Sequence, residues 1–316
     1  MSNLEKYHGV IPAFYACYDD NGKISVERTK AFARYLENKG VKGLYVGGSS
    51  GECIYQEKED RMLTLEAVME EVKGECTIIA HVACNNTEES AQLAAHAEKL
   101  GVDAIASIPP IYFRLPDYAI AQYWNDISAA APNTDFIIYN IPQLAGVALS
   151  VKLFKEMRKN PRVIGVKNSS MPVQDIQGFV DAGGENCVVF NGPDEQFIAG
   201  RAIGACGGIG GTYAAMVELF LKMDELVNAA KFVEAQPIQH EVNGIIADLC
   251  SCHGSMYATI KKVLEINEGL KLGGVHRPMP NLIAEDMPKV EAVAARIRAA
   301  VAKFCCSTSI RAILKT

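Results

Sequence analysis

The sequence predicts an α/β fold, a (β/α)8 TIM barrel with a C-terminal helical extension. Three observations carry that expectation. Eight short apolar runs recur before residue 216, each followed by a longer amphipathic stretch, with a period of roughly thirty residues. Glycine marks the end of many of these stretches, as at Gly40, Gly74 and Gly101, where a left-handed residue can stop a helix. After Met216 the alternation ceases and only helical patterns follow. Alternating strand and helix implies parallel strands joined by right-handed crossovers, and eight such units close into a barrel. An open doubly wound sheet is the competing arrangement, but its usual GxGxxG turn after the first strand is absent.

The elements follow in order. An apolar run at 10–18 precedes a helix at 25–38, GLYVGG at 43–48 precedes a helix at 58–73, and TIIAHVA at 77–83 precedes one at 86–100. Runs at 103–108, 135–141 and 163–167 lead into helices at 116–131, 150–159 and 173–182, with Pro116 suited to a first helical turn. The last two runs, 187–190 and the glycine-rich 207–212, lead into helices at 195–203 and 216–227. Helices at 230–247, 256–266 and 287–304 remain. The expected organisation is a catalytic barrel at 1–229, a helical extension at 230–304 packed on it, and a disordered tail at 305–316.

Composition narrows the function classes. The 316 residues are 49% hydrophobic and 22% charged, enough apolar material for a large core. The net charge is −6 and no basic patch stands out, so nucleic acid is not an expected partner. No apolar run approaches the ~20 residues of a membrane span. The segment holding Glu5, Lys6, His8 and Pro12 has no signal-peptide apolar core, and a cytoplasmic protein acting on a small molecule is expected. The ten cysteines include no CxxC. Cys250, Cys252 and His253 lie close in sequence but no second cluster completes a tetrahedral set, so no metal is expected. Scattered thiols in this number fit a reducing compartment.

A barrel places its active site at the C-terminal ends of the strands. Among the residues there, Lys167 ends the apolar run Val163-Ile164-Gly165-Val166 and is the one lysine in the set. Desolvation at such a place lowers an amine's pKa and frees its lone pair for attack on a ketone. The alternative is a lysine that snorkels from the strand end into water. Tyr139 ends the neighbouring run, either as a proton relay or as an aromatic lid on the core. The turn 47–51 offers backbone N–H groups with the hydroxyls of Ser49 and Ser50, as an anion site or as a helix cap. Asp194 and Glu195 follow the seventh run; they repel phosphate and suit a polyol, or they cap the next helix.

Together Tyr45-Val46-Gly47-Gly48-Ser49-Ser50-Gly51-Glu52, Tyr139-Asn140-Ile141-Pro142, Gly165-Val166-Lys167 and Gly208-Ile209-Gly210 resemble the N-acetylneuraminate lyase / dihydrodipicolinate synthase family, in order and spacing from about Lys6 to Phe304. The resemblance implies a class I, Schiff-base aldolase on a barrel, usually a homotetramer. It implies that Lys167 forms the imine and Tyr139 relays the proton, and that Ser49 and Ser50 hold the carboxylate of a 2-oxo acid. It places Tyr112 near the neighbouring subunit's active site and implies no cofactor beyond the covalent imine on Lys167.

Within that family, members that make dihydrodipicolinate carry an arginine where this chain has Leu144, and a leucine supplies no bidentate contact. The sialic-acid-cleaving members resemble the chain in Gly192-Pro193-Asp194-Glu195, whose acids take the substrate's glycerol-like tail. The resemblance therefore implies cleavage of sialic acid to N-acetylmannosamine and pyruvate. An aldolase for a 2-keto-3-deoxy sugar acid, or a silent barrel that only binds a sugar acid, are the rivals. Four departures bear on substrate preference. Ser50 and Ser169 stand where threonines are usual, Gly211 replaces a serine that would touch the sugar, and Tyr257 replaces a phenylalanine near the N-acetyl group.

Overall fold

The computed structural model describes residues 4–305. Among them eight parallel strands form one sheet in the order β1-β8-β7-β6-β5-β4-β3-β2. They are β1 (Gly9–Pro12), β2 (Gly43–Val46), β3 (Thr77–His81), β4 (Ala104–Ser107), β5 (Asp135–Asn140), β6 (Val163–Asn168), β7 (Val188–Asn191) and β8 (Gly207–Gly210). The two ends of that order meet. Ala13 bridges Tyr45 in parallel, and the N–H groups of Lys42 and Phe14 donate to the carbonyls of Val10 and Tyr45, each at 2.9 Å. The expected barrel is thereby closed.

Nine helices flank the barrel among the described residues: α1 (Val26–Asn38), α2 (Lys58–Val72), α3 (Thr87–Leu100), α4 (Asp117–Ala130), α5 (Pro142–Ala145), α6 (Val151–Met157), α7 (Gln174–Gly183), α8 (Phe197–Ala202) and α9 (Val217–Asn228). Ser25, Asn86 and Ser150 cap α1, α3 and α6 by accepting from backbone N–H groups of the first turn. The single turn α5 is not visible in the sequence periodicity, because four residues are too few to show one; Pro142 starts it and Gly146, at φ +72°, stops it. The stretch expected as a helix at 195–203 opens instead as a 3-10 turn, Asp194–Gln196, before α8.

The extension comprises α10 (Phe232–Leu249), α11 (Met256–Glu268) and α12 (Met287–Cys305). Val242, Ile260, Val263 and Val293 belong to the same apolar core as the barrel helices, so the extension is packed on the barrel. Pro237 lies inside α10, in its second turn, where the missing N–H costs the helix ladder the bond to the Val233 carbonyl. Of the expected tail, Cys305 is the last residue of α12 and the remainder lies outside the described residues.

Strand alternation sorts side chains into two cores. Ile11, Tyr45, Ile79, Ile137, Tyr139 and Phe190 fill the barrel interior, while Leu44, Val46, Phe136 and Ile138 face the helices. Strand β6 breaks the alternation once. Phe136 pairs with Val163, but the next residue, Ile137, pairs with Gly165, so β6 carries one extra residue there as a β-bulge. Val163 lies in the outer core; regular alternation from it would turn residue 167 outward. The bulge resets the phase. Val166 faces the helices, and Lys167 sits level with the inward residues Tyr139 and Phe190.

Gly165, next to the extra residue, pairs with Val188 of β7, and a Cβ there would run into the Val188 carbonyl. Gly165→Ala should destabilise the fold by about 3 kcal/mol through overpacking. Urea unfolding should show this as a lowered midpoint with an unchanged slope.

Candidate active site

Lys167 is 4% exposed, and its Nζ lies 3.9 Å from the ring centroid of Tyr139 and 4.3 Å from that of Tyr45. Burial strips water from the ammonium and lowers its pKa to about 7, while the Asp194 carboxylate pulls it back upward. No ion pair joins the two among the described residues; Asp194 acts on the amine from a distance. The aromatic faces favour the ammonium but do not outweigh lost hydration. Of the two readings of Lys167, snorkelling is excluded by its burial.

Tyr139 pairs with Lys167 across the β5–β6 ladder. Its ring meets Tyr45 edge-on at 5.8 Å and His81 at 6.0 Å. Burial pushes its hydroxyl up to about 12, and the side chains of Ser49 and Ser169 draw it back down. At neutral pH it is therefore an O–H, able to pass a proton but not to hold a negative charge for long. Two groups here escaped the sequence reading. The Tyr45 hydroxyl and His81 Nε2 are buried with no hydrogen-bond partner among the described residues, and burial, then Arg61, keeps the His81 ring well below its usual pKa. Both lie on strands among apolar neighbours, and only the closed barrel reveals which way they face.

The serine turn is a 3-10 turn, Ser49–Gly51. Its internal bonds use the N–H groups of Gly51, Glu52 and Cys53; those of Ser49 and Ser50 meet no protein acceptor among the described residues. Ser50 Oγ is 3.0 Å from the Tyr257 hydroxyl, and the Tyr15 hydroxyl donates to the Gly211 carbonyl at 2.6 Å. A Cβ at Gly211 would sit 3.2 Å from both Ser50 Oγ and the Tyr257 hydroxyl. Two of the departures noted in the sequence are thus neighbours: the Tyr257 hydroxyl lies beside the space that a side chain at residue 211 would enter.

Asp194 caps no helix. Its Oδ2 accepts from Thr212 N at 2.6 Å and Thr212 Oγ1 at 2.5 Å, which leaves Oδ1 without a protein donor among the described residues. Burial raises its pKa to about 6 and the Thr212 bonds lower it. Glu195 is exposed. Gly192 has no room for a side chain, since a Cβ would collide with Ser169 Oγ and the Asn168 carbonyl.

These groups converge on one cavity of about 260 Å³, whose walls include Ser49, Ser50, Tyr139, Lys167, Ser169, Gly192, Asp194, Glu195, Gly211 and Tyr257. Leu144, Met171, Ile246 and Met256 complete the walls with apolar surface. Tyr112 is not among them; it is 89% exposed on the loop after β4, at φ +80°, with its ring edge-on to Phe113. Volume does not single this cavity out, because a cleft lined by Tyr18, Asp20, Gly273 and His276 is larger, at about 550 Å³. The unpaired amine and the paired phenol do. Among the described residues no three His, Cys, Asp or Glu side chains gather as a metal set, and Cys250 lines the cavity wall.

The amine's pKa of about 7 against an ordinary 10.5 has a consequence for stability. Between those values the unfolded chain holds the proton and the folded one does not, so stability rises with pH through that window. Lys167→Met should stabilise the chain at pH 7 by roughly 4 kcal/mol. The gain should shrink as pH climbs towards 10.5, which chemical unfolding of both proteins at pH 7 and pH 9.5 would measure.

Known proteins agree with the fold. The chain is 66% identical to the N-acetylneuraminate lyase of Mediterraneibacter gnavus over 304 residues, 96% of each chain. It is 32% identical to the N-acetylneuraminate lyase of Citrobacter koseri over 289 residues, 92% of this chain and 96% of that one. A solved catalytic-lysine mutant of Ruminococcus gnavus sialic acid aldolase superposes with a TM-score of 0.95 at 65% identity, covering 96% of this chain and 100% of that one. The profile of the Dihydrodipicolinate synthetase family matches residues 6–297, nearly all of the barrel and extension, and the chain belongs to that family.

Proposed function

We propose that the chain is a class I, Schiff-base aldolase that cleaves N-acetylneuraminate reversibly to N-acetylmannosamine and pyruvate. The observation that carries this reading is the buried, unpaired amine of Lys167 beside the Tyr139 phenol. The two relatives named N-acetylneuraminate lyase, at 66% and 32% identity, support the choice of substrate. So does the cavity itself, with hydroxyl-binding acids on one side and apolar surface on another.

Lys167 Nζ adds to the keto carbon of the open-chain sugar acid, and loss of water gives a protonated imine. The imine draws in the electrons of the carbon–carbon bond two atoms away. That bond breaks as the hydroxyl on its far carbon gives up its proton, through Tyr139 or the substrate carboxylate. N-acetylmannosamine leaves as the aldehyde. The remaining enamine takes a proton on carbon, and water releases pyruvate and restores the amine. Ser49 and Ser50 hold the carboxylate; Asp194 Oδ1 and Glu195 receive the hydroxyls of the tail. The imine on Lys167 does the electron-withdrawing work, so the reaction calls for neither metal nor organic cofactor.

We read the assembly as a homotetramer in which Tyr112 reaches a neighbouring subunit's site, consistent with its exposure and positive φ. A cytoplasmic enzyme fits this chemistry; no helix among the described residues is long and apolar enough to cross a membrane. Leu144 on the cavity wall argues against dihydrodipicolinate synthesis, which needs a cation there for a second carboxylate.

Incubation with pyruvate and borohydride should leave a mass adduct on the peptide that contains Lys167. No adduct would sink the aldolase reading. Cleavage of N-acetylneuraminate should far exceed that of 2-keto-3-deoxygluconate. Lys167→Ala should abolish turnover with the fold intact, and Tyr139→Phe should lower kcat by about 10²–10⁴ with little change in KM. Imine formation should accelerate about tenfold per pH unit up to pH 7, as the amine loses its proton, and then level off.

A further inference from the structure

A second buried lysine stands behind the serine turn. Lys261 of α11 donates to Glu52 Oε1 at 2.8 Å, with the two side chains 1% and 0% exposed. Lys261 also donates to the Gly274 carbonyl at 2.6 Å. Glu52 Oε2 accepts from the His276 N–H at 2.6 Å and the Tyr18 hydroxyl at 3.1 Å. Four chain segments therefore meet on one carboxylate. A charge pair so deeply buried is held only by complete pairing, and replacing it with apolar groups is often harmless to stability. Its presence directly behind the serine turn asks for another reason.

The position of Glu52 supplies one. It follows directly on the turn Ser49–Gly51 and adopts φ +60°, ψ 28°, a left-handed conformation rare outside glycine. That conformation ends one 3-10 turn and starts the next, Cys53–Tyr55. On α11, Tyr257 lies four residues before Lys261 and so shares its helix face. Tyr257 meets Ser50 and Lys261 meets Glu52, so one helix face grips the turn at two points.

We infer that the Glu52–Lys261 ion pair is a positioning element of the active site, which locks the serine turn to α11 in the geometry that receives the carboxylate of a 2-oxo acid. The inference rests on the aldolase reading. The pair touches no substrate; it acts through Ser49 and Ser50. It also gives the helical extension a part in binding that its packing alone does not require.

The test compares the unaltered chain, Lys261→Met, and the double variant Glu52→Gln/Lys261→Met, which leaves no stranded charge if the single variant folds poorly. Two quantities are read: half-saturation of borohydride trapping by pyruvate, and hydrogen–deuterium exchange of residues 48–55. In whichever variant folds, half-saturation should rise about tenfold or more while the adduct at saturation is unchanged. Exchange should rise in 48–55 and not in the barrel strands. A folded double variant with unchanged half-saturation and unchanged exchange overturns the inference and leaves the pair a structural contact. Absence of a pyruvate adduct on the unaltered chain overturns the aldolase reading and the pair's role with it.

Discussion

The site depends on one constraint, the desolvation of an amine inside a ring of parallel strands. Water stabilises an ammonium far more than two aromatic faces can. With Asp194 engaged by Thr212 and no carboxylate in contact, Lys167 is brought to the edge of losing its proton at neutral pH. A direct ion pair at that point would restore the proton and remove the nucleophile. Asp194 must therefore stay out of contact with the amine, and the two Thr212 bonds fix where it stays.

The direction of Lys167 is set by backbone register. One extra residue in β6 decides whether residue 167 faces the helices or the interior. The level it joins also contains Tyr139 and Phe190, so a single bulge brings amine and phenol into one layer. Beyond them, Asn140 donates to Asn168 at 2.7 Å, and Asn168 pairs with Asn191 on the next strand. That buried polar bond ties β5 to β6 one residue past the reactive pair, where a slip in register would separate them.

These facts explain what the sequence made legible. Apolar runs, helix-stopping glycines and the switch to helices after Met216 are local, and they predicted the barrel and extension with errors of a few residues at the element ends. The strand-end residues were equally legible, because a parallel barrel gathers them at one face; nine of the ten strand-end candidates line one cavity, together with Tyr257 of α11. What was hidden depends on register and partners. The bulge at Ile164–Gly165 leaves no mark in composition. Tyr45 and His81 read as ordinary strand residues until the interior closes around them. For Asp194 the sequence left polyol binding and helix capping both open; Thr212, from the loop after β8, takes one of its oxygens instead of a helix N–H.

The two buried lysines show why burial alone is a poor guide to chemistry. Lys261 and Lys167 are 2% and 4% exposed, and both lie against tyrosine rings. Lys261 has a carboxylate and a carbonyl in hydrogen-bond contact, so two of its three donors are matched and its charge has somewhere to stay. Lys167 has aromatic faces and a distant acid, which offer no place for a proton. In the proposed reading one arrangement makes a strut and the other a nucleophile. The Glu52–Lys261 pair stands directly behind the Ser49–Gly51 turn, so in that reading the charged lysine fixes the ground on which the neutral one works.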